Sequence, residues 1–487
     1  MKRRKAIQQL GLGLTAGLIL PGYLSSCKKD DDPQPGTGPS VGIIGGGAAG
    51  LYAADILKAK GYTVVIYEAS SRLGGRVRSL KSFDKPSTAL YLNSPSELSS
   101  DYPNELGADV VLGSDSVWGK IISDLKIAAG NLSTGTTDNY LLGGTLTNAA
   151  TAQADADFVA AQNFFNTLST YSGGNVSVQQ AIEAAGLSHR THSILNAWIG
   201  NKYGTTNDRL SVTALAEGLA LRTRNQTLQT LTDNPMQDAL LSRFTKVTTD
   251  ALVNAVVKEI NYTSDKVTVS GQNVVTGEPF SAEFDKVIVT VPVSVLKAGN
   301  IVFTPSLPSE KSTALSRFDM DATVRVLLDF KINFWGNTSS FLYGGAQSPE
   351  YFNNGALRSE LTKTLAVTVG GAKGAELSAL GKDALPVLMA ELDAIYAGKA
   401  TLNARKDLND NHIAVIHDWT KEPYIKGGAA YLKPGGTQQD RVALAKSLSD
   451  RVFFAGEATD VNGEFGNLNG ALLSGERAAQ EVIAKLG

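Results

Sequence analysis

The sequence predicts an α/β fold on three observations: an apolar run ending in closely spaced glycines, a helical pattern directly after them, and a second apolar run tipped by an acid. All three lie within residues 41–76, VGIIGGGAAG through YEASSRLGGR. Val41, Ile43 and Ile44 form a short strand, and Gly45, Gly47 and Gly50 follow at G-x-G-x-x-G spacing before Leu51, Ile56 and Leu57 at helical intervals. The first glycine permits a tight turn, the second lets backbone approach a pyrophosphate, and the third lets helix and strand pack closely, with the phosphates facing the helix N-terminus. Ala49 belongs to the same candidate cofactor site. Gly61 ends the helix, residues 62–67 form the second strand, and Glu68 stands where an acid binds a ribose hydroxyl, which disfavours NADP. Together they predict a Rossmann-like dinucleotide-binding unit. A Gly-rich turn alone would not supply the second strand and its acid.

A length of 487 residues predicts two or more domains, and 43% hydrophobic with 19% charged residues describes an ordinary globular interior. Lys2, Arg3, Arg4 and Lys5 open the chain, and the remainder is mildly acidic, which argues against nucleic acid as a partner. That basic start, with an apolar run over residues 10–24 too short for a spanning helix, predicts a secretory signal at 1–26. Cys27, the single cysteine, closes LSSC, which resembles a bacterial lipobox and implies an exported, membrane-anchored lipoprotein. Arg3-Arg4 leaves Sec and twin-arginine export open, and the membrane face, periplasmic or cell-surface, is open too. Residues 27–40, acidic and then Pro/Gly-rich, predict a disordered tether.

RLGGR at 72–76, after the acid-tipped strand, resembles the FAD fingerprint of the flavin amine oxidases, the group of monoamine oxidase, polyamine oxidase and L-amino-acid oxidase. Gly75 allows close approach, and Arg76 is suited to fork onto phosphate oxygens. Four further segments carry the resemblance. ELGA at 105–108 implies that Gly107 and Ala108 lie alongside the isoalloxazine. Residues 287–308 resemble the family's strand and crossover into the substrate domain, and Trp419 with Glu422-Pro423-Tyr424 and Gly427-Gly428 resembles its late tryptophan-and-glycine segment. FFAGEAT at 453–459 with GALLSG at 470–475 resembles its C-terminal flavin motif and implies cofactor contacts from Gly456, Glu457, Leu468 and Ala471. The helix start near 468–471 would aim free N–H groups at reduced flavin.

The resemblance runs from about residue 40 to the C-terminus. It implies a discontinuous, glutathione-reductase-like FAD domain at 41–115, 235–300 and 440–487, and an α+β substrate domain of mixed sheet and helices at 116–234 and 301–439. Within these, residues 118–234 read as helices, 324–330 and 365–369 as strands, and 384–396 as a helix. Residues 251–269 read as a hairpin, and the resemblance puts the Val257 backbone beside the adenine. With no thiol in the folded body, FAD is expected to be non-covalent. The implied reaction is hydride transfer from an amine C–H to flavin N5, giving an imine, then reoxidation by O2 with release of H2O2.

Several positions depart from the family. Arg325 stands where the family has a lysine near flavin N5; it would reach N5 through water, bind a substrate carboxylate, or be structural beside Asp329 or Asp321. The two aromatic positions flanking the substrate amine become Ala429 and Asn467, with Tyr424, Tyr431 and Phe465 nearby. Val110 replaces a tyrosine, and Ser70 a cofactor arginine. The substrate is therefore open. A small amine leads, with O2 or another electron acceptor; alternatives are desaturation of an apolar C–C substrate and a non-catalytic flavin-binding lipoprotein. His189, His192, His412 and His417 lack ligand spacing, so no metal is expected. The sequence leaves oligomeric state open.

Overall fold

The first apolar run becomes the strand Ser40–Ile44, flanked in parallel by Thr63–Tyr67 and Lys286–Val289. Val452–Phe454 and Ala251–Leu252 complete a five-stranded parallel sheet in the order 452–454, 286–289, 40–44, 63–67, 251–252. In this computed structural model the described residues are 38–94, 98, 104–224, 226–358 and 362–487, so the signal-like segment, Cys27 and the tether up to residue 37 lie outside them.

Parallel strands need both faces covered. On one face lie the helices Ala48–Ala59 and Leu468–Leu486, in such direct contact that a Cβ on Gly475 would stand 2.3 Å from the Ala49 carbonyl oxygen. On the other face, Ile44, Val287, Val289 and Phe454 pack against a four-stranded sheet of Pro279–Phe284, Val267–Asn273, Ala255–Asn261 and Val302–Thr304. The expected hairpin is the centre of that sheet.

An eight-stranded sheet forms the second layer system, in the order 90–93, 414–418, 323–329, 364–370, 350–353, 339–343, 137–142, 145–148. Its expected strands appear as Thr323–Asp329 and Thr364–Gly370, and the expected helix is Ala384–Tyr396. Leu385, Leu388 and Leu392 of that helix cover one face through Val324, Val326, Leu365 and Val367. The opposite face, with Leu327, Phe341, Tyr343 and Phe352, packs toward Leu106 of the ELGA segment.

One expectation changes. Residues 118–234 are not all helical: Thr137–Leu142 and Thr145–Asn148 form an antiparallel hairpin around Gly143 and Gly144, whose φ values of 58° and 83° suit a turn that L side chains resist. The Gly-Gly pair between short alternating runs was the overlooked signal. Trp118, Ile121 and Ile122 of the helix Val117–Asp124, and Leu231, pack in the core of Leu51, Leu57 and Leu472.

Candidate cofactor and substrate site

The cofactor side is built from backbone. The helix Ala48–Ala59 starts at Gly47 with no side-chain cap, which leaves its first N–H groups to an anion. A Cβ on Gly75 would sit 3.3 Å from the Gly47 Cα, so a side chain at either would fill the cleft between turn and RLGGR. A Cβ on Gly50 would meet the Gly45 oxygen at 2.0 Å, which is why helix and strand touch there. Gly45 itself has φ 115°.

Glu68 is held ready at the strand tip. Its Oε2 accepts from Gly46 N at 2.7 Å and its Oε1 from Ser70 N at 2.8 Å and Ser70 Oγ at 2.6 Å. Ser70, at the family's arginine position, thus orients the acid. Asn254 and Ala255 donate backbone bonds to the carbonyls of Ser70 and Glu68, bringing the strand of Val257 beside the same tip.

The chain ends meet at Arg76. Its Nη1 donates to Glu457 Oε1 at 2.7 Å and to the Gly428 carbonyl at 2.8 Å, while Glu457 also accepts from Ala430 N and Gly466 N at 3.0 and 3.1 Å. A small pocket opens between the ends of 286–289 and 452–454, lined by Arg76, Thr290, Pro292, Gly456, Glu457 and Thr459. The uncapped helix start, glycine cleft and acid fit a dinucleotide such as FAD. Leu468 and Ala471 open the last helix, but Asn467 caps it by accepting from Gly470 N at 3.1 Å, so its start is not as open as expected. Asn467 is therefore a capping residue.

The ELGA segment sits between the two sheets. A Cβ on Gly107 would lie 1.9 Å from the Arg76 oxygen and 3.1 Å from Trp419 Cζ2; Ala108 N donates to the same Arg76 oxygen at 3.3 Å, and Trp419 Nε1 donates to the Leu106 carbonyl at 2.8 Å. Trp419 is held by a network absent from the sequence reading. His417 packs edge-on at 4.3 Å, its Nε2 2.8 Å from Arg78 Nη1, which donates to Glu422 Oε1 at 2.6 Å. The same Nε2 also lies 2.8 Å from Glu422 Oε1, and burial lowers the His417 pKa against that carboxylate, favouring a neutral ring. Glu105 is fully buried, and burial raises its pKa to about 7 despite hydrogen bonds from Ser79 Oγ and Met236 N.

Arg325 faces this segment from the sheet, 3% exposed. Its Nε donates to the Glu105 carbonyl at 3.1 Å, Nη1 to Thr368 Oγ1 at 2.5 Å, and Nη2 lies 2.8 Å from Asp109 Oδ2. Its acid is thus Asp109, neither of the two anticipated: Asp329 pairs with Arg405, and Asp321 with Arg209 and Tyr431. A guanidinium so committed has little left for a substrate carboxylate. Registers align His417, Arg325 and Thr368 across three strands, and Glu350, Tyr343 and Tyr140 across the next three.

The remaining positions are structural on this geometry. Val110 packs in the cluster of Leu106 and Phe352. Phe465 stacks on Tyr203 at 5.3 Å with the Arg441 guanidinium 3.9 Å from its ring, and Tyr424 is half-buried. Ala429 presents backbone 3.0 Å from where a Cβ on Gly204 would stand. The segment Gly200–Tyr203, unremarked in sequence, therefore walls this side. No group of three His, Cys, Asp or Glu suited to a metal occurs among the described residues.

Fold and site define a dinucleotide-binding flavoprotein of the oxidoreductase class. A profile for flavin containing amine oxidoreductase matches residues 161–483, and one for an NAD(P)-binding Rossmann-like domain matches residues 43–106. The chain belongs to the flavin containing amine oxidoreductase family, and FAD is its cofactor. Lysine-specific histone demethylase 1 homolog 1 of Oryza sativa subsp. japonica is 28% identical over 480 residues, covering 91% of this chain and 52% of that protein. The homolog 1 of Arabidopsis thaliana is 30% identical over 207 residues, covering 41% of this chain and 24% of that protein. The chain thus spans about half the length of the rice relative. Among solved structures, putrescine oxidase bound to putrescine superposes with TM-score 0.71 at 17% identity, and cyclohexylamine oxidase from Brevibacterium oxydans IH-35A with 0.73 at 18%; each covers 92% of this chain and 99% of the other. At that identity the likeness shows the fold.

Proposed function

We propose that the protein oxidises a small amine, with the substrate held between the ELGA segment and the polar row of the eight-stranded sheet. The observation that carries this is Arg325, which joins the two by binding the Glu105 carbonyl and Thr368. The curated relatives are named for lysine demethylation and the solved ones for putrescine and cyclohexylamine oxidation, all amines. FAD, when bound, would supply the hydride acceptor for an amine C–H and pass its electrons to O2. This chain's residues would do the rest. Gly45, Gly47, Gly75 and the uncapped helix would hold the pyrophosphate, Glu68 the ribose, and the Val257 strand the adenine end. Trp419, Gly107, Ala108 and the Arg76–Glu457 pair would hold the flavin end.

Peroxide measured across an amine panel tests the reading. Silence with every amine, joined to flavin reduction by a polyene, would overturn it in favour of C–C desaturation. Non-covalent FAD predicts that denaturation releases all flavin through a filter; yellow retained protein contradicts it. We also propose that Cys27 is acylated and anchors the exported enzyme in a membrane, on the lipobox-like LSSC. Cys27→Ser should abolish palmitate labelling in cells, and unchanged labelling would disprove the anchor.

A further inference from the structure

The polar row ends in a place already built to hold an alkylammonium. Lys202 Nζ lies 2.6 Å from Glu350 Oε2, 5.2 Å from the centre of the Phe341 ring and 5.7 Å from that of Tyr343. Phe341 and Tyr343 are stacked parallel at 5.2 Å, so the cation lies over at most one ring face, and the cage is one carboxylate with an aromatic wall beside it. Its walls belong to the cofactor-facing side of the sheet, where Tyr343 pairs with both Glu350 and Tyr140 in register. The Lys202 charge also acts on Asp138, hydrogen-bonded to Ser340 on the neighbouring strand. Glu350 is 11% exposed along its side chain and Lys202 37%, so the lysine reaches inward from the open side.

The backbone that delivers this lysine is fixed to the substrate region. Asn201 Nδ2 donates to the Thr368 carbonyl at 3.0 Å and its Oδ1 accepts from Gly370 N at 2.9 Å. Tyr203 stacks on Phe465, and Gly204 lies against Gly428 and Ala429. The strand of Glu350 is two strands from that of Arg325, about 10 Å across the sheet at the usual strand spacing. A linear diamine with one nitrogen near the cofactor segment would bring its second nitrogen to this cage.

We infer that Lys202 is a specificity-determining residue: its ammonium fills the cage at Glu350, so the site admits amines whose far end is neutral and turns away diamines. This rests on the amine-oxidation reading. An incidental surface pair would contribute at most about 1 kcal/mol to stability and nothing to selectivity.

The test compares n-hexylamine with hexamethylenediamine on the holoenzyme, the Lys202→Met and Lys202→Gln variants, and Lys202→Met combined with Glu350→Gln. Both single variants should raise the diamine-to-monoamine ratio of kcat/KM by about tenfold, one ion pair's worth, and the double variant should lose the gain. Anaerobic binding of the same two probes, followed by thermal shift, should show the same order without turnover. An unchanged ratio in both readouts overturns the inference. Should neither amine be oxidised while Lys202→Met still gains selective diamine binding, the cage stands and the amine-oxidation reading falls.

Discussion

The glycine cleft suited to a dinucleotide and the polar face proposed for the substrate are assembled in opposite ways. The cleft comes mainly from contiguous chain: Gly45 to Gly50, Glu68, Ser70 and Gly75 lie within about thirty residues, and local turns set their geometry. The face draws Asp109, Lys202, Arg325, Glu350 and Thr368 from separate strands and loops, and only sheet register aligns them. Backbone recognition of phosphate tolerates little change at each glycine. Side-chain recognition is tuned one residue at a time.

The comparison breaks most sharply at Gly50. Gly50→Val forces a side chain into the Gly45 carbonyl at 2.0 Å, so we expect at least about 3 kcal/mol of lost stability and purification without flavin. Flavin absorbance relative to protein measures it; normal FAD content would mean the helix start is not the phosphate site. On the polar face, Arg325→Met leaves Asp109 unpaired and should cost about 3 kcal/mol by urea denaturation. It should also slow flavin reduction while FAD stays bound, and unaltered reduction kinetics would make Arg325 purely structural.

Between the two, Glu105 gives a pH signature. Its pKa rises from an ordinary 4.5 to about 7 because burial disfavours the carboxylate. Between those values the folded chain binds the proton more tightly than the unfolded chain, so this group's contribution falls as pH climbs through that window. Glu105→Gln should therefore gain stability relative to the parent as pH rises from about 5 to about 8, by at most on the order of 3 kcal/mol, read by urea denaturation at each pH. A pH-independent difference would show that Glu105 ionises normally. The smallest effect is expected at Ser70→Ala, which frees one side of Glu68: FAD affinity should fall several-fold, about 1 kcal/mol, with Tm nearly unchanged. No loss would mean that Gly46 alone orients the acid.

Legibility followed the same divide. The first strand, helix and second strand were readable because glycine spacing and apolar periodicity are local signals, and the helix Ala384–Tyr396 was readable from its length. Arg325 was singled out by its place in the family pattern, yet its acid was misassigned. Asp321 and Asp329 are near in sequence, whereas Asp109 arrives from a segment 216 positions away that folds onto the sheet. Of the His417, Arg78 and Glu422 network only Glu422 stood in a legible motif, because Arg78 reaches His417 from 339 positions away. Lys202 escaped for the same reason: a lysine at a helix end reads as solvated until Phe341, Tyr343 and Glu350 are placed around it.

By itself the sequence determined that this chain folds around a dinucleotide, since Gly45, Gly47, Gly50 and Glu68 meet their demands through covalent neighbours. It also determined the family, through motifs that each carry their own geometry. Tertiary structure alone decided which charges meet on the sheet face. Strand pairing brought Arg325 to Asp109 and Lys202 to Glu350, and ion pairs of that kind depend on distance in space, which sequence separation does not encode.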